Sequence, residues 1–402
     1  MSLEHELVTA VGPEHVASQG MGAWRVTPGS AAEIAEVIRR AGGHGAAIHP
    51  VGVAGRAARQ SGGERPRVYI ATKRLDQVLQ LDETSLLVHA QAGLTGLELE
   101  RILGPRNLTI GDYPPVVLTS SLGGIIAVRT PGKSSARHGF FEEAVVGVSA
   151  VLADGRTLHT RVAPRRATGP DLARALCGSE GTIGFITSVV LRIHHKPDAR
   201  LVAAYTLPSV DAAISACQLA LREEVAPSGL RIYDARETAR HFAGTRLGDG
   251  KALLVAATAG PTDLAACDRD IVTSAVIAEG GEPSDDELAE LWWRRLHAGE
   301  PTPGPPPTLQ VMATPGKLAA VYHGVVAALD HAASAHISRF DADGAVVFFT
   351  FDGARLRDAE RVAAQAGGWL LGARAEKLDP YLRALRDQLD PGRIMNPGAL
   401  AG

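Results

Sequence analysis

Aromatic residues make up only 4% of this 402-residue chain, and cysteine occurs three times. So few rings leave little for base-stacking platforms, and a formal net charge of -3 offers no bulk attraction for a polyanion. Nucleic acid is therefore not an expected partner. Cys177, Cys217 and Cys267 are too far apart for a disulfide framework or a CxxC metal site, and they read as buried, reduced thiols. No apolar run approaches the ~20 residues that a membrane helix needs. The start, Met1-Ser-Leu-Glu-His-Glu6, has no basic stretch followed by an apolar one. No signal peptide is expected, and the cytoplasm is the expected location.

What is present is a soluble globular pattern, 45% hydrophobic and 21% charged. The length points to two domains rather than one core. The first half alternates helix and strand signals. Ser30-Ala-Ala-Glu33 is a capping box opening a helix that ends at Gly42-Gly43. Ala46–Val51 and Val68–Ala71 read as strands, and so does the stretch 86–90. Thr95-Gly-Leu-Glu98 is a second capping box. Val145–Leu152, Asp154-Gly155 and Thr157–Val162 read as a hairpin. Phe185–Ile193 is a further strand. Character changes near Lys196-Pro197. Beyond it, helices are expected over 211–222, 285–297, 317–333, 358–366 and 378–389, and strands over 229–233, 309–313 and 344–351. Pro301-Thr-Pro-Gly-Pro-Pro-Pro307 reads as a stiff linker.

Three glycine-rich turns carry the chemistry. The first is Pro50-Val-Gly52-Val-Ala-Gly55-Arg56, the second Ser120-Ser121-Leu122-Gly123-Gly124, and the third Gly178-Ser179-Glu180-Gly181-Thr182-Ile183-Gly184 behind Thr168-Gly169-Pro170-Asp171. Glycine lets backbone N–H groups approach a bulky ligand with no Cβ in the way, which suits a phosphate or the edge of a flat heterocycle.

In this order and spacing the turns resemble the FAD domain of the vanillyl-alcohol oxidase and p-cresol methylhydroxylase superfamily. Within it the chain looks most like alkylglycerone-phosphate synthase and the glycolate-oxidase or D-lactate-dehydrogenase flavoproteins. The resemblance implies an α+β, two-subdomain FAD-binding fold of the p-cresol methylhydroxylase type with a reduced α+β cap. It divides the chain into an FAD-binding domain over 1–196, a cap or substrate domain over 197–375, and a C-terminal return over 376–402. By resemblance, Gly52, Gly55 and Arg56 hold the pyrophosphate, although Val53, Ala54 and Arg56 depart from the family's consecutive glycines. Pro115, Ser120, Ser121, Gly124, Ala127 and Thr130 line the flavin, and so do Glu180, Gly181, Thr182, Gly184 and Ile186. FAD is expected to be non-covalent, because Arg56 stands where covalently linked relatives carry a histidine. No metal is expected. The ending Asp390-Pro-Gly-Arg-Ile-Met-Asn396-Pro-Gly resembles the family's tail, which returns to the flavin.

The cofactor supplies the redox chemistry in such enzymes, so few protein groups are needed. Gly229-Leu-Arg231-Ile-Tyr233-Asp234 matches the synthase's arginine segment and makes Arg231 a candidate anion clamp, with Arg374 as another. His138 and His336 are candidate catalytic histidines, with His49 beside the first loop as a weaker one. No tyrosine stands near Asp341 and no histidine cluster follows Gly367-Gly368, where the synthase carries them. The resemblance thus implies an oxidoreductase passing hydride from a small, anionic, hydroxylated substrate to flavin N5. Two alternatives stay open: a non-catalytic FAD-binding subunit of a glycolate-oxidase-like complex, and an ether-forming synthase. A homodimer and a partner flavoprotein subunit are both open as assemblies.

Overall fold

A computed structural model of the chain describes residues 1–53, 65–111, 118–129, 135–139, 141–163, 169–242, 244–298, 305–341, 343–371 and 379–400. The first sheet comprises β1 (Val16–Gly20), β2 (Ala23–Val26), β3 (Ala47–Val51) and β4 (Arg67–Ala71), in the order β1-β2-β4-β3. Its β2–β4 and β3–β4 pairs are parallel. The helix Ala31–Gly43 makes the crossover from β2 to β3. Ser30 caps it, its hydroxyl accepting from the Glu33 N–H at 3.1 Å. Ile34, Val37, Ile38 and Ala41 form its buried stripe.

The second sheet is antiparallel. It contains β5 (Val78–Asp82), β6 (Leu87–Gln91), β8 (Val145–Val151), β9 (Thr157–His159) and β10 (Phe185–Arg192) in the order β5-β6-β10-β8-β9. A small ladder joins β7 (Leu108–Thr109) to β11 (His194–His195). Thr95 opens the helix Gly96–Leu103 with a complete capping box, as the sequence signals.

From residue 199 onward one antiparallel sheet dominates. Its strands are β12 (Ala199–Leu207), β13 (Gly229–Asp234), β14 (Ala252–Gly260), β15 (Glu282–Pro283), β16 (Leu309–Ala313), β17 (Ser334–Asp341), β18 (Gly344–Thr350) and β19 (Trp369–Leu371). Their order is β15-β12-β14-β13-β17-β18-β16-β19. The period of two sorts their side chains. Leu254, Ala256, Ala335, Ile337, Val347 and Phe349 enter one core with the helices Val210–Arg222, Thr262–Ala278, Leu318–Ala328 and Leu356–Gln365. Leu253, Val255, Ala257 and Tyr233 point the other way, into a smaller core shared with Trp292 of the helix Asp286–Ala298. Covering both faces explains why β14 is buried along its whole length.

Three expectations need correction. The helix expected over 317–333 spans only Leu318–Ala328, because Asp330 and His331 adopt left-handed backbone at φ 51° and 59°. The segment behind it is strand β17, which sequence reading left unassigned. Cys267 is exposed, whereas Cys177 and Cys217 are buried as expected. The last helix, Pro380–Leu389, leads into a tail whose Met395 bridges in parallel to Ile48 of β3.

Candidate functional site

The glycine turns come together at the ends of strands. Pro50 and Val51 close β3 and carry the chain to Gly52. A Cβ built on Gly52 would lie 2.8 Å from Ser121 Oγ, and one on Gly181 would lie 2.8 Å from Pro50 Cγ. The first turn therefore touches the second and the third, and only glycine permits the approach. Gly181 also needs φ +75°. Second and third turns are tied by backbone bonds: Gly178 N–H donates to Ile126 C=O at 3.0 Å and Glu180 N–H to Ala127 C=O at 2.9 Å. Ser121 precedes the short helix Leu122–Ala127, is almost fully buried, and bridges to Thr95.

Not every expected ligand group is free for a ligand. Thr182 Oγ1 donates 2.7 Å to the Ser179 carbonyl, so its proton is spent inside the turn. Ile186 lies in β10 and its side chain belongs to the core. Gly184 packs against the Val151 carbonyl, where a Cβ would sit at 3.1 Å. Gly124 packs likewise on Ser121 Oγ, at 3.1 Å. Ser120 sits ahead of Ser121, and its carbonyl accepts from Gly96 N–H. Gly55, Arg56, Pro115, Thr130 and Arg374 lie outside the described residues.

The tail completes this region. Asn396 N–H donates to Ile48 C=O at 2.7 Å, its side-chain amide donates to the Glu180 carbonyl at 2.5 Å, and its Oδ1 faces His49 Nδ1 at 3.1 Å. One asparagine thus joins β3 to the third turn. Glu180 holds φ 49°, so this contact braces a strained backbone. His49 is fully buried and stacks on Tyr69 at 5.3 Å. Burial pushes its pKa down against the Asn396 bond. Its Nε2 is buried with no partner in the described structure, an orphan polar atom where the first and third turns meet.

A second group of polar residues lies on the large sheet, on the face turned away from its main helical layer. Tyr233 pairs with His336 across β13 and β17, and His336 with Phe348 across β17 and β18. The His336 ring stacks on Phe348 at 4.6 Å and 8°. The Arg339 guanidinium lies 4.9 Å from the same ring. Arg231 donates to Tyr233 Oη at 3.3 Å, while its buried Nε has no partner. Burial and then the Arg231 charge bring the Arg339 pKa down to about 10. Neither arginine makes an ion pair among the described residues. Guanidinium groups match the geometry of carboxylate and phosphate anions. Arg339 was missed in the sequence, and its signal is weak: one arginine in a strand of mixed polarity.

Glu237 anchors His336 from the helix Ala235–His241. Its carboxylate is fully buried and accepts from four side chains: Arg240 Nε at 3.0 Å, Ser334 Oγ at 2.5 Å, His241 Nε2 at 2.9 Å and His336 Nδ1 at 3.2 Å. Burial opposes its charge, but the His241, His336, Arg240 and Ser334 bonds outweigh it and hold the carboxyl well below its usual range. Burial in turn lowers His336 to about 4, despite the bond to Glu237. Neighbouring Asp234 is pushed up to about 6 by burial, partly offset by N–H bonds from Glu237 and Ala335.

His138 ends the short helix Ser135–His138, which packs against β17 and β13 of the large sheet. Its ring lies 4.2 Å from that of His194, tilted by 36°, and burial lowers its pKa to about 3. It is thus a neutral ring at the junction of the two halves, packed on a histidine of the first half.

Glycine turns packed on one another beside a large antiparallel sheet that carries two arginines are the features to set against known folds. Solved structures share this fold. The chain superposes on alkyldihydroxyacetonephosphate synthase with TM-score 0.72 at 23% identity, covering 93% of this chain and 76% of that one. It superposes on substrate-bound p-cresol methylhydroxylase with TM-score 0.71 at 15% identity, covering 99% and 96%. Residues 23–161 match the family described as FAD binding domain, and residues 196–378 that of FAD linked oxidases, C-terminal domain. The chain thus carries both the FAD-binding and the C-terminal domain of FAD-linked oxidases, and its cofactor is FAD. An uncharacterized FAD-linked oxidoreductase of Escherichia coli, YgcU, is 32% identical over 232 residues, 56% of this chain and 46% of that relative. The match thus spans less than half of that relative's length. No described helix is long and apolar enough to cross a membrane.

Proposed function

We propose that the protein is an FAD-dependent oxidoreductase acting on a small anionic substrate with a hydroxyl group. The observation that carries this reading is the paired arginines, Arg231 and Arg339, beside a neutral His336 on one sheet face. The residues present suit FAD: glycines at the turn contacts, and the orphaned Nε2 of His49 beside them. Gly52, Ser121, Gly124, Gly181 and the backbone of 180–184 would hold it, with FAD bound non-covalently. When bound, the flavin supplies the acceptor for the substrate's hydride. The arginines bind and orient the substrate's negative group. His336, neutral at pH 7, is free to take a hydroxyl proton at Nε2. The apolar rings of Phe348 and Tyr233 exclude water around these groups.

This polar face favours an enzyme over a non-catalytic subunit, since a scaffold has little use for two half-buried arginines with no carboxylate partner among the described residues. The test is a visible spectrum of the purified chain followed by anaerobic addition of 2-hydroxy acids. A flavin spectrum that bleaches with one of them supports the reading. A yellow protein inert to glycolate, lactate and 2-hydroxyglutarate would sink it.

A further inference from the structure

We propose that Glu237 is the positioning residue for His336, fixing it as the Nδ1–H tautomer with a bare Nε2. The inference deepens the function proposed above and rests on it. An ionised carboxylate has no proton to give, so every nitrogen facing it must donate. Glu237 Oε1 faces His336 Nδ1 at 3.2 Å and His241 Nε2 at 2.9 Å. Both nitrogens therefore carry hydrogen. A neutral imidazole has one N–H, so His336 Nε2 keeps its lone pair, and no described residue bonds to it.

The ring cannot turn away from this arrangement. Phe348 stacks on it in nearly parallel planes, and the β13–β17–β18 register holds the backbone on both sides. Glu237 is itself fixed by Arg240 at both oxygens and by Ser334. Its backbone N–H is tied to Asp234 Oδ1 at 2.7 Å. The charged and titratable groups around His336 are Glu237, Arg240 and His241 from the helix 235–241, Arg231, Tyr233 and Asp234 from β13, and Arg339 from its own strand. Arg137 and His138 stand on the short helix packed against β17, and β18 contributes only Phe348. Oxidation of a secondary alcohol breaks C–H and O–H and forms C=O. Bound FAD would supply the hydride acceptor, and His336 Nε2 takes the hydroxyl proton.

A competing arrangement is a metal site, because Glu237, His241 and His336 offer ligand atoms within 4.8 Å of one another. A metal would need both facing nitrogens deprotonated. It would also compete with Arg240 for the carboxylate. Hydrogen-bonded dyad and metal site are thus mutually exclusive.

The experiment is a long-range proton–nitrogen NMR spectrum of the full FAD-loaded chain labelled with 15N-histidine, with His336 assigned by its loss in His336→Gln. The expected spectrum shows His336 protonated at Nδ1, bare at Nε2 and neutral at pH 7, unchanged by cobalt(II) chloride. Glu237→Gln should move the population at least threefold toward the Nε2–H form, because the amide can donate to Nδ1. An Nε2–H ring in the wild type overturns the proposal, and so does a tautomer indifferent to Glu237→Gln. One equivalent of cobalt(II) that abolishes the ring N–H signals overturns it as well, in favour of the metal. If the variant does not fold, the wild-type tautomer and the cobalt titration decide alone. The spectrum reads the ring whether or not a hydroxy acid reduces the flavin, so failure of the functional reading is told apart from failure of this one.

Discussion

Arg339 stands among the least expected residues of the site, a cation in left-handed backbone at φ 59° whose guanidinium leans on Phe348. Such a backbone costs on the order of 1–3 kcal/mol and persists only where the surroundings impose it. Alanine carries the same Cβ, so Arg339→Ala leaves this strain in place while weakening substrate capture. Arg339→Ala is expected to raise KM more than it lowers kcat, with a loss of about 1.5–3 kcal/mol in kcat/KM. An unchanged KM in steady-state assays would remove Arg339 from the clamp. Acid should act through His336. Its folded pKa, about 4, lies below the ordinary 6.5, so the unfolded chain binds the proton more readily. Stability is therefore fully present above pH 6.5 and is lost as the pH falls toward 4. Asp234 works in the opposite sense between about 6 and its ordinary 3.8, because its folded form holds a proton longer. His336→Gln should flatten the acid limb of a urea-denaturation series run from pH 7 to 4.5. A limb that keeps its slope would assign the acid sensitivity elsewhere.

At the scale of elements, the turns and the tail form one unit. Gly181→Ala places a Cβ against Pro50 in left-handed backbone, and at least ~1 kcal/mol of stability should go with it. Asn396→Ala removes the amide bond to Glu180 and the acceptor for His49, at an expected cost of about 1–3 kcal/mol. Both should release FAD at lower temperature, read by the rise in free-flavin fluorescence on heating. Unchanged release temperatures would separate these contacts from the cofactor. Most of these elements were legible beforehand. Capping boxes at Ser30 and Thr95 marked two helix starts correctly, and the glycine turns were visible because a close approach leaves no residue type but one. Strand β17 was not legible. Its inward side, Ala335 and Ile337, is apolar, but its other side carries His336 and Ser338, and a bulge beyond Ser338 breaks the alternation. The alanine-rich run before it let a helical pattern extend past its true end. Glu237 was invisible for another reason: its meaning depends on His336, 99 residues away. The first loop's Gly55 and Arg56 and the clamp candidate Arg374 fall outside the described residues.

Across the whole molecule, the short helix Ser135–His138 links the two halves, for Arg137 donates to the Ala259 carbonyl at the end of β14. Adding FAD at a hundredfold excess over its Kd should stabilise the folded chain by about 2.7 kcal/mol, seen as a higher Tm in calorimetry. A Tm indifferent to FAD would mean that the native cradle does not bind it. The tail carries a further consequence, one of timing. Asn396 meets His49 across 347 positions of sequence. A chain emerging from the ribosome can therefore shape β3 and all three turns long before the residue that ties them together exists. Contacts so distant in sequence form late, after the loop they close has been drawn in. Cofactor capture should accordingly be a closing event of folding, and a nascent chain halted before residue 396 should build the cradle yet fail to keep its flavin.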